Sequence, residues 1–198
     1  MTTDLFLGLI LFAFVSSITP GPNNMMLLSS GLTFGFRRTI PHMLGVALGH
    51  AAMVLAIGFG LGEVFERVPQ AYTALKIIGA GYMLYLAWRI ATSGKVEAKE
   101  GNARPLTFFQ AALFQWVNPK GVIMAVTVVS LYTVPANFTA SLMIAATVFL
   151  LSNFVSVSTW TAFGSMLQRF LSDPRAVRRF NIVMAVLLVM SLIPMLWT

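Results

Sequence analysis

Two short polar runs interrupt long apolar stretches of this chain, and they hold most of its side chains able to do chemistry. The first is Ser17-Ile18-Thr19-Pro20-Gly21-Pro22-Asn23-Asn24. The second is Gln115-Trp116-Val117-Asn118-Pro119-Lys120-Gly121. Each combines carboxamides with proline, and the second adds a lysine. Such groups hydrogen-bond and neutralise a small polar solute without altering it. A covalent reaction lacks its parts. There is no cysteine, which removes thiol–disulfide electron carriage, disulfide scaffolds and cysteine metal sites. The nucleophile motif Gly-x-Ser-x-Gly is absent, and His50 has no serine partner in sequence.

The prolines matter first through the backbone. Proline lacks an N–H and clashes with the carbonyl one turn back, so Pro20-Gly21-Pro22 predicts an interruption and not a bend. Freed backbone groups cannot face lipid; they are buried in protein or line a wet cavity. The segment after each break starts a new half-helix with its positive dipole end at the break. Two such ends facing one volume suit an anion such as a carboxylate. Lys120 fits the same volume. A lysine at the centre of a membrane span costs roughly 2.5–3.5 kcal/mol on insertion scales, and no acid lies within the spans to pair with it, apart from Asp4 and Glu63 at their margins. Its counter-ion is a substrate carboxylate, or it caps carbonyls freed at the Pro119 break. Asn23, Asn24 and Asn118 read equally as ligand contacts and as half-helix caps. Thr19, Pro20 and Gln115 complete the substrate-binding set, with Asn153 from a polar stripe that also holds Ser156, Ser158 and Trp160. His50 lies mid-span and titrates near neutral pH, which makes it the proton-coupling candidate; the alternative is a neutral histidine hydrogen-bonded within the bundle. No metal site and no cofactor are expected. The twelve methionines are scattered and read as packing.

The elements that position these residues follow from composition. The 198 residues are 58% hydrophobic and 10% charged, with mean hydropathy +0.82. A soluble domain carries about 25% charged residues, so a soluble globule and a disordered chain are both excluded. The fold class is an all-α membrane protein. The net charge of +7 suggests nucleic acid at first sight. However, the basic residues sit between apolar runs, as anchors of cytoplasmic loops do, and no nucleic-acid partner is expected.

Six segments are long and apolar enough to span a bilayer: 4–28, 40–62, 70–92, 107–131, 137–164 and 177–198. They are apolar all round, and no alternating pattern of barrel strands appears. The leader Met1-Thr2-Thr3-Asp4 has an acid and no basic residue, so the first span reads as retained and not as a signal peptide. Ten of the thirteen basic residues fall in three links, around Arg37, around Lys95 and around Arg178. The positive-inside rule makes those links cytoplasmic and leaves both termini outside. The polar stretch 94–106 then divides the chain into repeats 1–93 and 107–198. Three spans per half is odd, so the halves enter the membrane from opposite sides, as inverted repeats do. Pro20 and Pro119 are 99 residues apart in this 198-residue chain. Gly45, Gly49, Gly58, Gly60, Gly62, Gly79 and Gly81 read as close helix packing. His42 and Trp88 read as interfacial, Lys76 as snorkelling, and Tyr82 as a cavity-lining candidate.

The Thr19-Pro20-Gly21-Pro22-Asn23 run, the Asn118-Pro119-Lys120 run, and the stretch from Gly79 to Trp88 together resemble the amino-acid exporters of the LysE/RhtB family, over essentially the whole chain. Asn23-Asn24, Ser29-Ser30 before Gly35-Phe36-Arg37, Leu86-Ala87-Trp88 and Asn181-Ile182-Val183 look closest to the cysteine/O-acetylserine exporters. The resemblance implies proton-coupled export of an amino acid across the inner membrane by alternating access. In the family's exporters of basic amino acids, acids occur in helices two and four. The matching places here are His50 and Met124. A cationic side chain would find no counter-charge, so the resemblance implies small neutral substrates: cysteine, O-acetylserine, homoserine, threonine or leucine. The expected partners are that solute, protons and the lipid bilayer, with a homo-oligomer possible. The rivals are an intramembrane serine protease and a non-transporting scaffold; a scaffold has no use for two broken helices at matching depths.

Overall fold

A computed structural model describes residues 1–61, 69–92, 104–170 and 173–193. Among these the chain is helical throughout, without strands. Helix α1 (Thr3–Ile18) is followed by α2 (Pro22–Phe34) and α3 (Phe36–Ala56), which runs into a π-turn at Ile57–Leu61. Then come α4 (Pro69–Thr92), α5 (Phe108–Val117), α6 (Pro119–Tyr132), α7 (Phe138–Phe170) and α8 (Pro174–Met190).

Local chemistry sets the boundaries. Thr2 caps α1, its hydroxyl accepting from the Leu5 amide. Proline forces the preceding residue out of the α region. Thr19, before Pro20, is extended at φ −62°, ψ 147°, and Asn118, before Pro119, at φ −83°, ψ 108°. Each following half-helix opens on a proline, Pro22 or Pro119, where the missing N–H costs nothing. Between α2 and α3, Gly35 takes φ +80°, a conformation open to glycine. Thr107 and Gln110 form a reciprocal capping box at the start of α5.

Both expected interruptions are present. The axes of α1 and α2 differ by 52°, and those of α5 and α6 by 70°. Among the described residues, Phe36–Leu61 and Pro135–Gln168 are each long and apolar enough to cross a membrane, and each bent pair qualifies as one further span. Helices α4 and α8, expected as the third and sixth spans, do not reach that length and hydropathy. Residues 194–198 of the sixth, and Gly62, lie outside the described residues, as does the side chain of Lys76.

The long α7 packs on α1, α2 and α3, while α3 packs on α5, and α4 on α8. Small residues make the crossings close. A Cβ on Gly164 would come within 2.1 Å of the Leu28 carbonyl oxygen, and one on Gly31 within 2.3 Å of that of Thr161. Gly45 and Gly49, expected as a packing pair, lie against Phe108 and Ala112 of α5. Gly58 and Gly79 also pack closely, against Leu142 and Val117, whereas Gly60 and Gly81 have open space. The buried apolar residues form two clusters. One joins Met26, Met43, Met83, Phe114 and Leu188; the other joins Leu9, Met53, Met124, Val128 and Phe149. Each broken helix passes from one cluster to the other at its break: Ala13 and Met26 on one side, Phe114 and Met124 on the other.

Candidate functional site

Between the clusters is a cavity lined by both breaks. Gly21, Pro22, Asn23 and Asn24 come from the start of α2, and Asn118, Lys120 and Gly121 from the start of α6. Ser16 and Ser17 of α1, His50 of α3, Met124 of α6 and Asn153 of α7 complete the wall. It encloses about 320 Å³, partly open to the exterior. The first intrahelical bonds are Met25 N–H to the Gly21 carbonyl and Val122 N–H to the Asn118 carbonyl, both 3.0 Å. The amides of Asn23, Asn24, Lys120 and Gly121 therefore have no carbonyl partner within their own helices. Two positive half-helix ends and an ammonium-bearing side chain border one volume.

The first break has a full set of donors. Its last four carbonyls, on residues 17 to 20, accept from side chains of three other helices. The Ser17 carbonyl takes the Asn24 carboxamide at 2.8 Å and the Ser156 hydroxyl at 2.7 Å. The Ile18 carbonyl takes the Trp160 indole N–H at 3.0 Å. The Thr19 carbonyl takes Asn24 at 2.9 Å and Lys120 Nζ at 2.8 Å. Lys120 also donates to Thr19 Oγ1 at 2.8 Å and to the Pro20 carbonyl at 3.3 Å. Unpaired backbone oxygens here would each cost about 1–3 kcal/mol, and each is met.

Lys120 thus caps freed carbonyls, but those of the Pro20 break in the opposite half and not those of its own Pro119 break. Its stem lies over Gly21, where a Cβ would come within 2.8 Å of Lys120 Cδ. The asparagines do not cap the half-helices through their side chains. Gly21 is the N-cap of α2 and makes no side-chain bond, and neither does Asn118 at α6. Asn24 instead reaches back to α1. Asn23 exchanges two hydrogen bonds with Gln115, at 2.8 and 3.2 Å, tying the start of α2 to the end of α5. Gln115 also donates to the Ala111 carbonyl at 2.8 Å.

Four buried polar atoms of this wall have no hydrogen-bond partner: Ser17 Oγ, His50 Nε2, Asn118 Oδ1 and Asn153 Nδ2. Buried polar atoms in folded proteins are nearly always satisfied, so their clustering on one cavity marks a place for a polar guest. Of the nine residues expected to bind substrate or carry a proton, Asn23, Asn24, Asn118, Lys120, Asn153 and His50 line the cavity. Thr19, Pro20 and Gln115 stand behind it, bonded to Lys120 or Asn23. His50 is buried and packs on Phe149 with ring centroids 5.3 Å apart. Met124 and His50 share the wall. Ser17, which opens the first polar run, lines the wall, as does its neighbour Ser16, which sequence reasoning did not single out. His42, read as interfacial, is 1% exposed and lies outside this cavity. Tyr82 is half-buried, stacks on Tyr85 and lies outside this cavity, while Trp88 is exposed as an anchor would be.

A family model described as LysE type translocator matches residues 14–191. The chain belongs to that family. Two curated relatives, from Escherichia coli strain K12 and Shigella sonnei strain Ss046, are each 33% identical over 195 residues, covering 96% of both chains. Each is named cysteine/O-acetylserine efflux protein. No solved structure matches. A LysE-type translocator is a membrane transporter and not an enzyme, so the protease alternative is not favoured.

Proposed function

We propose that this LysE-family translocator exports small neutral amino acids or their derivatives from the cytoplasm, with cysteine and O-acetylserine as the leading substrates. The observation that carries the reading is the single cavity bordered by the first turns of α2 and α6 and by Lys120. A carboxylate there meets two half-helix ends and an ammonium. Among the described residues the wall offers no acid, which disfavours a cationic side chain and suits a neutral one. The curated relatives' name gives independent support for the substrate class.

The mechanism we infer is alternating access. Six spans form two inverted repeats, 1–93 and 107–198, joined by the cytoplasmic linker 94–106, with both termini outside. Lys120 spends its three donors on Thr19 and Pro20. A substrate carboxylate competes for that ammonium, and as it wins, the tie between α6 and the first break loosens. Asn23, Asn24 and Asn118 hydrogen-bond the solute, with Gln115 and Thr19 holding Asn23 and Lys120 behind them, and Asn153 offers a free donor. The halves then rock and the cavity opens outward. His50 is the residue we assign to proton exchange, the proton moving inward as substrate leaves.

The test is uptake of radiolabelled O-acetyl-L-serine into inverted membrane vesicles with an imposed proton gradient, where cellular export appears as uptake. The reading predicts uptake that collapses with the gradient. No uptake of any neutral amino acid would overturn it.

A further inference from the structure

A second cavity, of about 410 Å³, lies further along α2. It is lined by Ser29, Ser30 and Thr33 of α2, His42 of α3, Arg89 of α4 and Arg104 of the segment before α5. His42 is 1% exposed, and neither ring nitrogen has a hydrogen-bond partner. A buried imidazole with both nitrogens unmatched is as unusual as the unmatched atoms of the first cavity. The hydroxyls of Ser29, Ser30 and Thr39 have their protons committed. Ser29 donates to Asn181 Oδ1 at 2.8 Å. Thr39 donates to the Gly35 carbonyl at 2.9 Å, so in the 2.9 Å Ser30–Thr39 pair the proton comes from Ser30. Thr33 accepts from Asn181 at 3.3 Å. Ser29 and Ser30 therefore keep lone pairs to offer, and Thr33 keeps its proton.

We propose that this cavity is a second binding site, for the zwitterionic head of an α-amino acid, and that substrate rests there before reaching the central cavity. The proposal rests on the transport reading above. Ser29 and Ser30 accept from the ammonium. Thr33, one imidazole N–H of His42 and the half-buried Arg89 donate to the carboxylate. Arg89 is held at the mouth, one guanidinium N–H bonded to the Arg104 carbonyl at 3.0 Å. The two cavities share one helix. Asn23 of the first and Ser30 of the second are seven residues apart on α2, about 10 Å along the axis and on the same face. Both arginines belong to the basic links, which places this site at the cytoplasmic end. The anionic headgroup of phosphatidylglycerol is the rival oxyanion at that depth, but it brings no ammonium for the acceptors at Ser29 and Ser30.

The experiment measures KM and maximal rate for radiolabelled O-acetyl-L-serine on each face, in inverted and right-side-out vesicles. His42→Leu should raise the cytoplasmic-face KM about tenfold at an unchanged saturated rate from that face; from the outer face the KM stays unchanged and the saturated rate falls by the same factor, as a fixed overall equilibrium requires. His42→Gln, which keeps a donor and an acceptor, should recover most of the loss. Thr33→Val should raise the same KM by a few-fold, and it carries the test if the leucine variant fails to insert. Proteoliposomes of phosphatidylcholine alone should give the same shifts as those containing phosphatidylglycerol. Unchanged cytoplasmic-face KM in inserted variants overturns the second site, as does a shift seen only with phosphatidylglycerol. An inactive wild type overturns the transport reading itself, a separately visible failure.

Discussion

The first break covers residues 19–21 and bends its helix pair by 52°; the second is Asn118 alone and bends its pair by 70°. They differ more in how they are held. At the first, every carbonyl from residue 17 to 20 accepts from Asn24, Ser156, Trp160 or Lys120. At the second, Asn118 Oδ1 is buried and unmatched, and the ties to the first half run from Gln115 to Asn23 and from Lys120 to Thr19 and Pro20. The half-helix α2 packs extensively against α7, whereas α6 touches α3 and α7 more lightly. Similar sequence devices therefore serve different ends. The first break is a fixed cradle whose donors are internal. The second lends its lysine across to that cradle and keeps open valences for a guest.

Substitutions can break or sharpen this contrast. Lys120→Met should have the largest effect, lowering export about 100-fold, because truncating one partner of a hydrogen-bonded charge contact costs 2–5 kcal/mol or about that factor and more. Vesicle uptake of labelled O-acetylserine measures it; full-rate export by correctly inserted protein would remove Lys120 from the site. Asn24→Leu deprives the Ser17 and Thr19 carbonyls of a donor and should destabilise the protein by about 2–3 kcal/mol, read as a lowered unfolding midpoint in detergent. Asn118→Leu has no bond to lose at Oδ1. It should raise KM about tenfold while shifting stability by less than about 1 kcal/mol. If Asn24→Leu and Asn118→Leu destabilise equally, the two breaks are not different in kind. Gly21→Ala should act least, slowing export a few-fold, since its methyl would press on the flexible Lys120 stem at 2.8 Å and only displace it.

Much of this was legible in the chain because proline acts locally. Pro20 and Pro119 announce their breaks without any knowledge of the neighbours, and the residue before each is extended as sterics require. Gly45 and Gly49 likewise announced a close crossing, though not that α5 would fill it. Partners across the bundle were not legible. That Lys120 reaches Thr19, 101 residues away, depends on how the halves dock. The roles of the asparagines also depend on docking, since a capping side chain and one that reaches back to the previous helix have the same sequence signature. The burial of His42 was equally illegible, because nearness to a span's end does not say what the neighbouring helices cover.

The central claim is that the first turns of α2 and α6 share one substrate cavity. The chain has no cysteine, so single cysteines report without background. Ser17→Cys is nearly isosteric, and a Cβ at Gly121 meets only ordinary contacts at 3.5 Å. Each variant is treated with a small hydrophilic thiol reagent while O-acetylserine is titrated. The account predicts that both cysteines are labelled and that both are protected at the same half-maximal substrate concentration. Protection of one without the other, or of neither in transport-active protein, would contradict it.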